Sequence, residues 1–488
     1  MAIKRYSAEA DNTISNAFQE NLRIRATGSN MGQADVSEVY SIYGRQTTSS
    51  AELSRVLTSF DINSISSDRT AGIIPASGSV SFYVRLFNAE TSKTVPKNFT
   101  IVAQAISKSW SEGDGLDLEN YKDLGASNWI SASKGQPWES QGGDYHTSPK
   151  YNQTFKTGLE DLEIDISELV EQWIAGTKQN YGVGFRLTAS QEAKSDTNSG
   201  GAEESYYTKR FFARGTQYFF KKPVIEARWN SSNQDDRGDF YYSSSLAPAS
   251  ENLNTIYLYN FVRGALTNIP VIGTGNIFVN LYSGSTSPTG NKLVLHDGKT
   301  NVTGGHVSTG IYSCSVAITS AATPLRTLFD VWHNDSGTQY FTGTIKPETH
   351  LALGASTGNT RYVTSIKNLR SKYFSEEEAR FNVYVRNKNW SPTIYTVASK
   401  EIENTTIPSA SFRVYRIFDG FNAIPHGTGS DLHTLLSYDV SGNYFDLDMS
   451  LLEPGYEYGI KLAFYDSQRQ SWIEQDQKFM FRVEDYEH

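Results

Sequence analysis

The chain has 488 residues, 38% of them hydrophobic and 13% aromatic, too long for one ordinary domain and apolar enough for each of several to bury a core. Its net charge of −9 argues against a generic phosphate-binding surface, and a single cysteine, Cys314, excludes an intramolecular disulfide and a cysteine-based zinc site. Abundant Tyr, Phe and Gly beside scarce Met favour strands and turns over helices.

The start, "MAIKRYSAEADNT", has no apolar segment of signal-peptide type, and no apolar run of about 18 residues follows anywhere. The expectation is a β-rich protein made in the cytosol. Alternating strands are predicted at "SVSFYVRLF" (Ser79–Phe87), "FTIVAQAI" (Phe99–Ile106), "YGVGFRLTA" (Tyr181–Ala189) and "VIEARW" (Val224–Trp229). The best helix in this part is "DISELVEQWIAGT". Leu169, Val170, Trp173 and Ile174 make one apolar stripe, Asp165 or Ser167 can cap the start, and Gly176 sits where a terminal glycine belongs.

Between them lies "SWSEGDGLDLENYKDLGASNW" (Ser109–Trp129), rich in acids, glycine and tryptophan. Its spacing fails the EF-hand pattern, although Asp114, Asp117 and Asp144 are candidates for a generic calcium site. Glu112 and Asp114 are the nearest thing to a glycosidase carboxylate pair, but no second acid is singled out by its setting. Trp110, Trp129 and Trp138 suit a sugar-stacking platform or, more simply, a core. The eight histidines are scattered without ligand spacing, and no nucleophile elbow, P-loop or dinucleotide fingerprint occurs. In "YYTKRFFARGTQYFFKK" (Tyr206–Lys222) positive charges alternate with aromatics, as on the exposed and buried faces of a strand pair.

After Trp229, "NSSNQDDRGDFYYSSSLAPASENLN" reads as a linker, and its "RGD" (Arg237–Asp239) as coincidence rather than an adhesion motif. The strands "TIYLYNFV", "NIFVNLYS", "GIYSCSVAI" (with Cys314 in the core) and "TLFDVWHN" follow, then a boundary around Lys346–Thr360. The last block contains "RFNVYVRNK", "SFRVYRIFD", "YFDLDMSLL", "YGIKLAFYD" and "KFMFRVED", with a short acidic helix expected at "SEEEARF". Short strands at such spacing predict β-sandwiches, here three in series: residues 1–230, 231–353 and 354–488.

The order of motifs before residue 230 carries a resemblance. "ADNTISNAF", "NMGQADVSEVY", "ELSRVLTSFDINSI", "SWSEGDG", "ASNW", "GGDY", "IDISELVEQWIAGTKQNYGVGFRL", "KRFFARG" and "KPVIEARW" together resemble the DNRLRE-type β-sandwich, a carbohydrate-binding-module-like family. That resemblance implies a sandwich with one short helix, tryptophans closing its open end, glycines in the turns and acids facing water. Near the C-terminus "LLEPGYEY" (Leu451–Tyr458) matches the tyrosine-corner turn of fibronectin-type sandwiches, and "STGIYSCSVAI" looks like an immunoglobulin-like strand. Taken whole, the start and the closing "SYDVSGNYFDLDMSLLEPGYEYGIKLAF" resemble virion structural proteins of large tailed phages, particularly T4-like cyanophages. The resemblance implies an all-β, non-enzymatic virion component of the tail, baseplate or neck, assembled in the host cytoplasm. No cofactor or metal is expected because no ligand cluster is evident, and neither nucleic acid nor membrane, given the net charge and the missing apolar run; the partners would be other virion proteins and further copies of the chain. The alternatives are a glycan-binding, fibre-associated host-recognition protein and a capsid decoration protein.

Overall fold

The computed structural model describes residues 2–44, 51–92, 94–117, 125–243, 248–295, 298–318, 325–347, 361–391, 394, 397 and 404–486. The chain divides into two compact units, Ala2–Asn230 with Gly429–His433, and Ser231–Thr428 with Thr434–His488. The expected boundary segment at Lys346–Thr360 lies, from residue 348 onward, outside the described residues. The protein is all-β.

In the first unit, strands β1 (Ile3–Ser15), β2 (Val36–Ile42), β3 (Glu52–Phe60), β4 (Ser81–Leu86), β5 (Phe99–Ile106), the small hairpin β6 (Ser131–Ser133) and β7 (Gln136–Pro137), β8 (Tyr145–Phe155), β9 (Leu162–Asp165), β10 (Val183–Leu187), β11 (Tyr206–Phe212) and β12 (Val224–Arg228) carry the fold. The main sheet path runs β8-β5-β10-β3-β1-β12-β4-β9, with β2 and β11 joined at β3. Strand β1 serves two ladders: Ile3–Ser7 pair with β12, and after a bulge at Ala8/Ala10 the rest pairs with β3. The bulge turns the strand from one layer to the other. Between the layers lie Phe82, Val84 and Leu86, the alternate residues of β4, with Phe99, Phe155, Phe185 and Ile225.

Helix α2 (Ser167–Ile174) forms where the apolar stripe predicts it and buries Leu169, Val170 and Trp173. Asp165 accepts the Ser167 N–H at 2.9 Å one residue ahead of the cap, and Gly176 closes the end at φ +68°. A second helix, α1 (Ile62–Thr70), was not expected. Asp61 caps it by accepting the Asn63 N–H at 2.9 Å, and Arg69 holds Glu171 of α2 through two bonds of 2.7 and 2.6 Å. Its interior, "NSISSDRT", buries only Ile65, so an apolar stripe has nothing to mark.

In the second unit, β13 (Asn254–Tyr259), the hairpin β14 (Phe261–Val262) and β15 (Ala265–Leu266), β16 (Ile277–Ser283), β17 (Val302–Ser308), β18 (Ile311–Val316), β19 (Leu328–His333) and β20 (Gln339–Ile345) come first. Six of them are ordered β13-β18-β17-β16-β19-β20. Their core gathers Trp332, Tyr312, Cys314 and, from the stretch expected to be a linker, Phe240 and Tyr242. Arg237 of "RGD" grips Asp330 of β19 at 2.6 and 2.7 Å, and Asp330 is fully buried. That segment is therefore part of the core, because its two aromatics and its arginine each find a buried partner.

The remaining strands are β21 (Tyr362–Ile366), β22 (Lys372–Phe374), β23 (Glu378–Asn387), β24 (Ala410–Arg416), β25 (Asn422–Ile424), β26 (Ser437–Asp439), β27 (Gly442–Asp448), β28 (Glu457–Asp466), β29 (Ser471–Glu474) and β30 (Phe479–Glu484). One sheet runs β21-β23-β27-β26, the other β22-β30-β28-β24-β25 with β29 on β28. Phe412 stacks on Phe445 at 4.2 Å between centroids, and Phe381 stacks on Phe445 at 5.1 Å. The helix expected at "SEEEARF" is instead a turn leading into β23, since Ala379 and Phe381 alternate inward at a strand's period. The corner turn forms as expected: the fully buried Tyr458 donates its hydroxyl to the Glu453 carbonyl at 2.8 Å.

Candidate functional site

Five of the motifs that carry the family resemblance meet at one place in the first unit. Strand β1 brings Asp11 and Asn12, the following loop Asn30, the acidic stretch Glu112 and Gly115, "ASNW" Ser127, and "FFARG" Arg214. Asn12 donates to the Ser127 carbonyl at 2.9 Å and to its hydroxyl at 2.7 Å, and accepts the Met31 N–H at 2.9 Å. Asn30 accepts the Gly32 and Gly115 N–H groups at 3.0 Å and donates to the Ser127 carbonyl at 2.9 Å. A side chain at Gly115 would stand 1.8 Å from the Asn30 carbonyl oxygen, so the close approach demands glycine.

Around this knot lie the charges. Arg214 holds Glu112 through two bonds of 3.0 and 2.9 Å, while Glu112 also accepts the Asp11 N–H at 2.8 Å. Asp11 accepts the Arg214 backbone N–H at 2.5 Å. Burial, with the Glu112 charge adding to it, pushes the Asp11 carboxyl up to about 7, against the pull of Arg214. A carboxyl poised near neutrality often marks an active site, but Asp11 is only 2% exposed and no substrate atom can reach it. The arrangement is a closed polar staple joining a strand to three loops.

The acids of the opening stretch thus have separate fates. Glu112 does not face water as expected, because Arg214 draws it in; Asp114 is exposed. Asp144 is buried and accepts the N–H groups of Glu139 and Ser140, both at 2.9 Å, fixing a turn. Residues 118–124 lie outside the described residues. Among the described residues, no group of three or more His, Cys, Asp or Glu is placed to hold a metal ion.

The tryptophans are core. Trp129 and Trp138 are buried with Ile14, Leu57, Ile106 and Ala132, and Trp110 packs on this cluster. Each indole N–H checked by a partner points inward: Trp138 donates to the Asn128 carbonyl and Trp110 to that of Tyr181, both at 2.8 Å. Of the histidines, His296, His350 and His488 lie outside the described residues. Among those described, His306 bonds Asn268 at 3.2 Å, His333 the Asn334 carbonyl at 2.7 Å and His426 the Ser411 hydroxyl at 3.0 Å.

The basic stretch departs from its expected alternation. Lys209 lies on the inward face with Phe211 and is almost fully buried. Its ammonium donates to Asn88 Oδ1 at 2.5 Å and to the Gly158 and Glu160 carbonyls at 2.9 and 2.8 Å, with Phe155 and Phe211 rings 5.0 Å away. Burial lowers its pKa to about 8, opposed by Asp161 and Glu160. A second buried charge, Glu226, sits among Arg5, Arg85 and Arg228 at 2.6–3.0 Å. Burial raises its pKa, and the three guanidiniums outweigh that and hold it far below the usual carboxylate range. Neither cluster was singled out from sequence. The available signal was a charged residue in phase with the apolar positions of a strand.

No family model matches the chain, and no curated protein matches it. Among solved structures it is similar to a titin pair of tandem immunoglobulin domains, at 10% identity over 43% of this chain and 82% of that chain, with a TM-score of 0.15. It is also similar to the N-terminal Ig1-2 module of the Drosophila receptor protein tyrosine phosphatase DLAR, at 7% identity over 48% and 91%, TM-score 0.14. A DUF4785 family protein of Legionella pneumophila is similar at 9% identity over 98% and 92%, TM-score 0.14. Likeness at these TM-scores carries no argument; the fold class rests on the strands themselves.

Proposed function

We propose that the chain is a non-enzymatic structural protein of a tailed-phage virion, connecting components of the tail, baseplate or neck through three domains, 1–230, 231–353 and 354–488. The observation that carries this reading is the closed staple. The residues that a carbohydrate-binding or catalytic reading needs exposed, Glu112 and the tryptophans of the acidic stretch, are instead bound or buried inside the first unit. Sequence resemblance at both ends of the chain supports the virion setting. No cofactor enters the reading, and the partners are other virion proteins and further copies.

The test is a density map of the intact particle. At least two of the three domains should contact other virion proteins, each contact of order 1,000 Å² or more. A first domain docked alone, with the rest projecting into solvent, overturns the connector.

Glycan binding is the second reading, and one observation favours it. A groove of about 530 Å³ in the C-terminal sandwich is lined by Tyr362 and Tyr465 beside Arg361, Lys388 and Asp466. Aromatic rings beside groups of both charges, Asp466, Glu474 and Asp476 as well as Arg361, Lys388 and Arg469, suit a neutral sugar's ring face and hydroxyls. Saturable binding of a neutral oligosaccharide, lost in Tyr362→Ala, would support this reading instead.

A further inference from the structure

Lys209 breaks a rule of buried charge. An ammonium taken out of water is ordinarily bonded to a carboxylate. Among the described residues, the Lys209 nitrogen instead bonds three uncharged oxygens: Asn88 Oδ1 at 2.5 Å, and the Gly158 and Glu160 carbonyls at 2.9 and 2.8 Å. The two acids beside it bond elsewhere. Asp161 accepts the Asn88 backbone N–H at 2.7 Å, and the Glu160 carboxylate accepts the N–H groups of Lys156 and Thr157 at 2.9 and 2.8 Å.

The nearest of the three partners is also an electrophile. With Oδ1 at 2.5 Å and a carbonyl bond of about 1.23 Å, the Asn88 Cγ lies within about 3.7 Å of Nζ. Reacting atoms held at about 3–3.5 Å are poised for attack. Both residues are fixed in place. Asn88 bridges Phe211, two positions beyond Lys209, and the loop that supplies both carbonyls is pressed against Pro96, where a side chain at Gly158 would stand 2.2 Å from a carbonyl oxygen. The fully buried rings of Phe155 and Phe211, each 5.0 Å from Nζ, keep water away. Burial brings the Lys209 pKa down to about 8, so about a tenth of the side chain is neutral amine at pH 7. A neutral amine has two N–H groups, and the two backbone carbonyls, which only accept, take both. The lone pair is left for Asn88.

We propose that Lys209 and Asn88 join covalently, as an isopeptide bond between strand β11 and the segment that follows β4. The Nζ lone pair attacks Cγ and the Nζ–Cγ bond forms. The Cγ–Nδ2 bond then breaks, and Nδ2 leaves as ammonia with a proton from Nζ. Nothing is oxidised or reduced, and no co-reactant is consumed. The product amide keeps one N–H for a backbone carbonyl. Strand β4 pairs with β12 and β9 whereas β11 pairs with β2, so the bond ties strands that share no ladder, across 121 positions of sequence. The inference stands on the first unit's own geometry and does not need the virion reading.

The folded full chain, incubated at pH 9 to make the Lys209 amine neutral, should weigh one ammonia less than its sequence requires. Digestion should release a branched peptide joining Lys209 to Asn88, and the closed loop should make the denatured chain run faster on a gel. Lys209→Met and Asn88→Ala should each keep the full mass and the slower migration. A wild-type chain that stays at full mass overturns the proposal. So does loss of ammonia without the branched peptide, the result expected from an asparagine cyclising on its own backbone.

Discussion

Arg214 grips both carboxylate oxygens of Glu112, at 3.0 and 2.9 Å, from 102 residues further along the chain. The same arginine presents its backbone N–H to Asp11, so one residue answers two acids. Arg214→Ala keeps that backbone N–H but removes the two bonds to Glu112 and the positive charge both acids share. The expected loss is about 1–3 kcal/mol in the first unit's unfolding transition, below the figure for a fully buried pair because the guanidinium is partly exposed. Glu112→Gln should cost less, since the amide keeps an acceptor for the Asp11 N–H. Denaturant unfolding of the full chain checks the order of the two.

Asp11 also makes a pH prediction. Its pKa is raised from 3.8 to about 7, so between those values the native state holds more proton than the unfolded chain. Stability from this group is fully present below about pH 4 and is lost as pH climbs through about 7. Asp11→Asn keeps an acceptor for the Arg214 N–H and removes the charge. It should gain on the order of 1–2 kcal/mol over the wild type at pH 8 and little at pH 5. Parallel melts at the two pH values decide it; equal shifts at both would deny the raised pKa.

Trp173 anchors α2 in the core. Trp173→Ala should cost about 3–5 kcal/mol, the range for deleting a buried large aromatic. A loss under about 1 kcal/mol would mean the ring's space closes without it.

At the C-terminal corner, Tyr458→Phe keeps the ring and strips one bond to the Glu453 carbonyl. The second unit's stability should fall by about 1 kcal/mol, with a matching drop in its unfolding midpoint. An unchanged midpoint would show that the hydroxyl contributes nothing net.

Strands were the legible part of this sequence, because inward and outward residues alternate where one face meets a core, as in Phe82, Val84 and Leu86. The tyrosine corner was legible for a different reason: its spacing is set by a single turn. Pairings far apart in the chain were not. Nothing local to Glu112 announces Arg214, and a run such as "NQDDRGDFYY" does not read as core when its Phe240 and Tyr242 close on strands that come later in the chain. Helix α1 was missed because it is held by a cap and by Arg69 rather than by an apolar stripe. Lys209 was read as solvated because lysine usually is; only the three oxygens gathered around it reverse that.

The bulge in β1 has a consequence for synthesis. The strand is made before either of its partners, and its two halves wait for strands of very different age. Ala8–Ser15 can pair once Ser54–Phe60 has emerged, whereas Ile3–Ser7 must wait for Val224–Arg228. For most of the time the first unit is being made, its leading residues are a half-matched seam, and a nascent chain halted before Val224 cannot close it. The last strand made in this unit is the one that locks the first, so the unit reports its own completion.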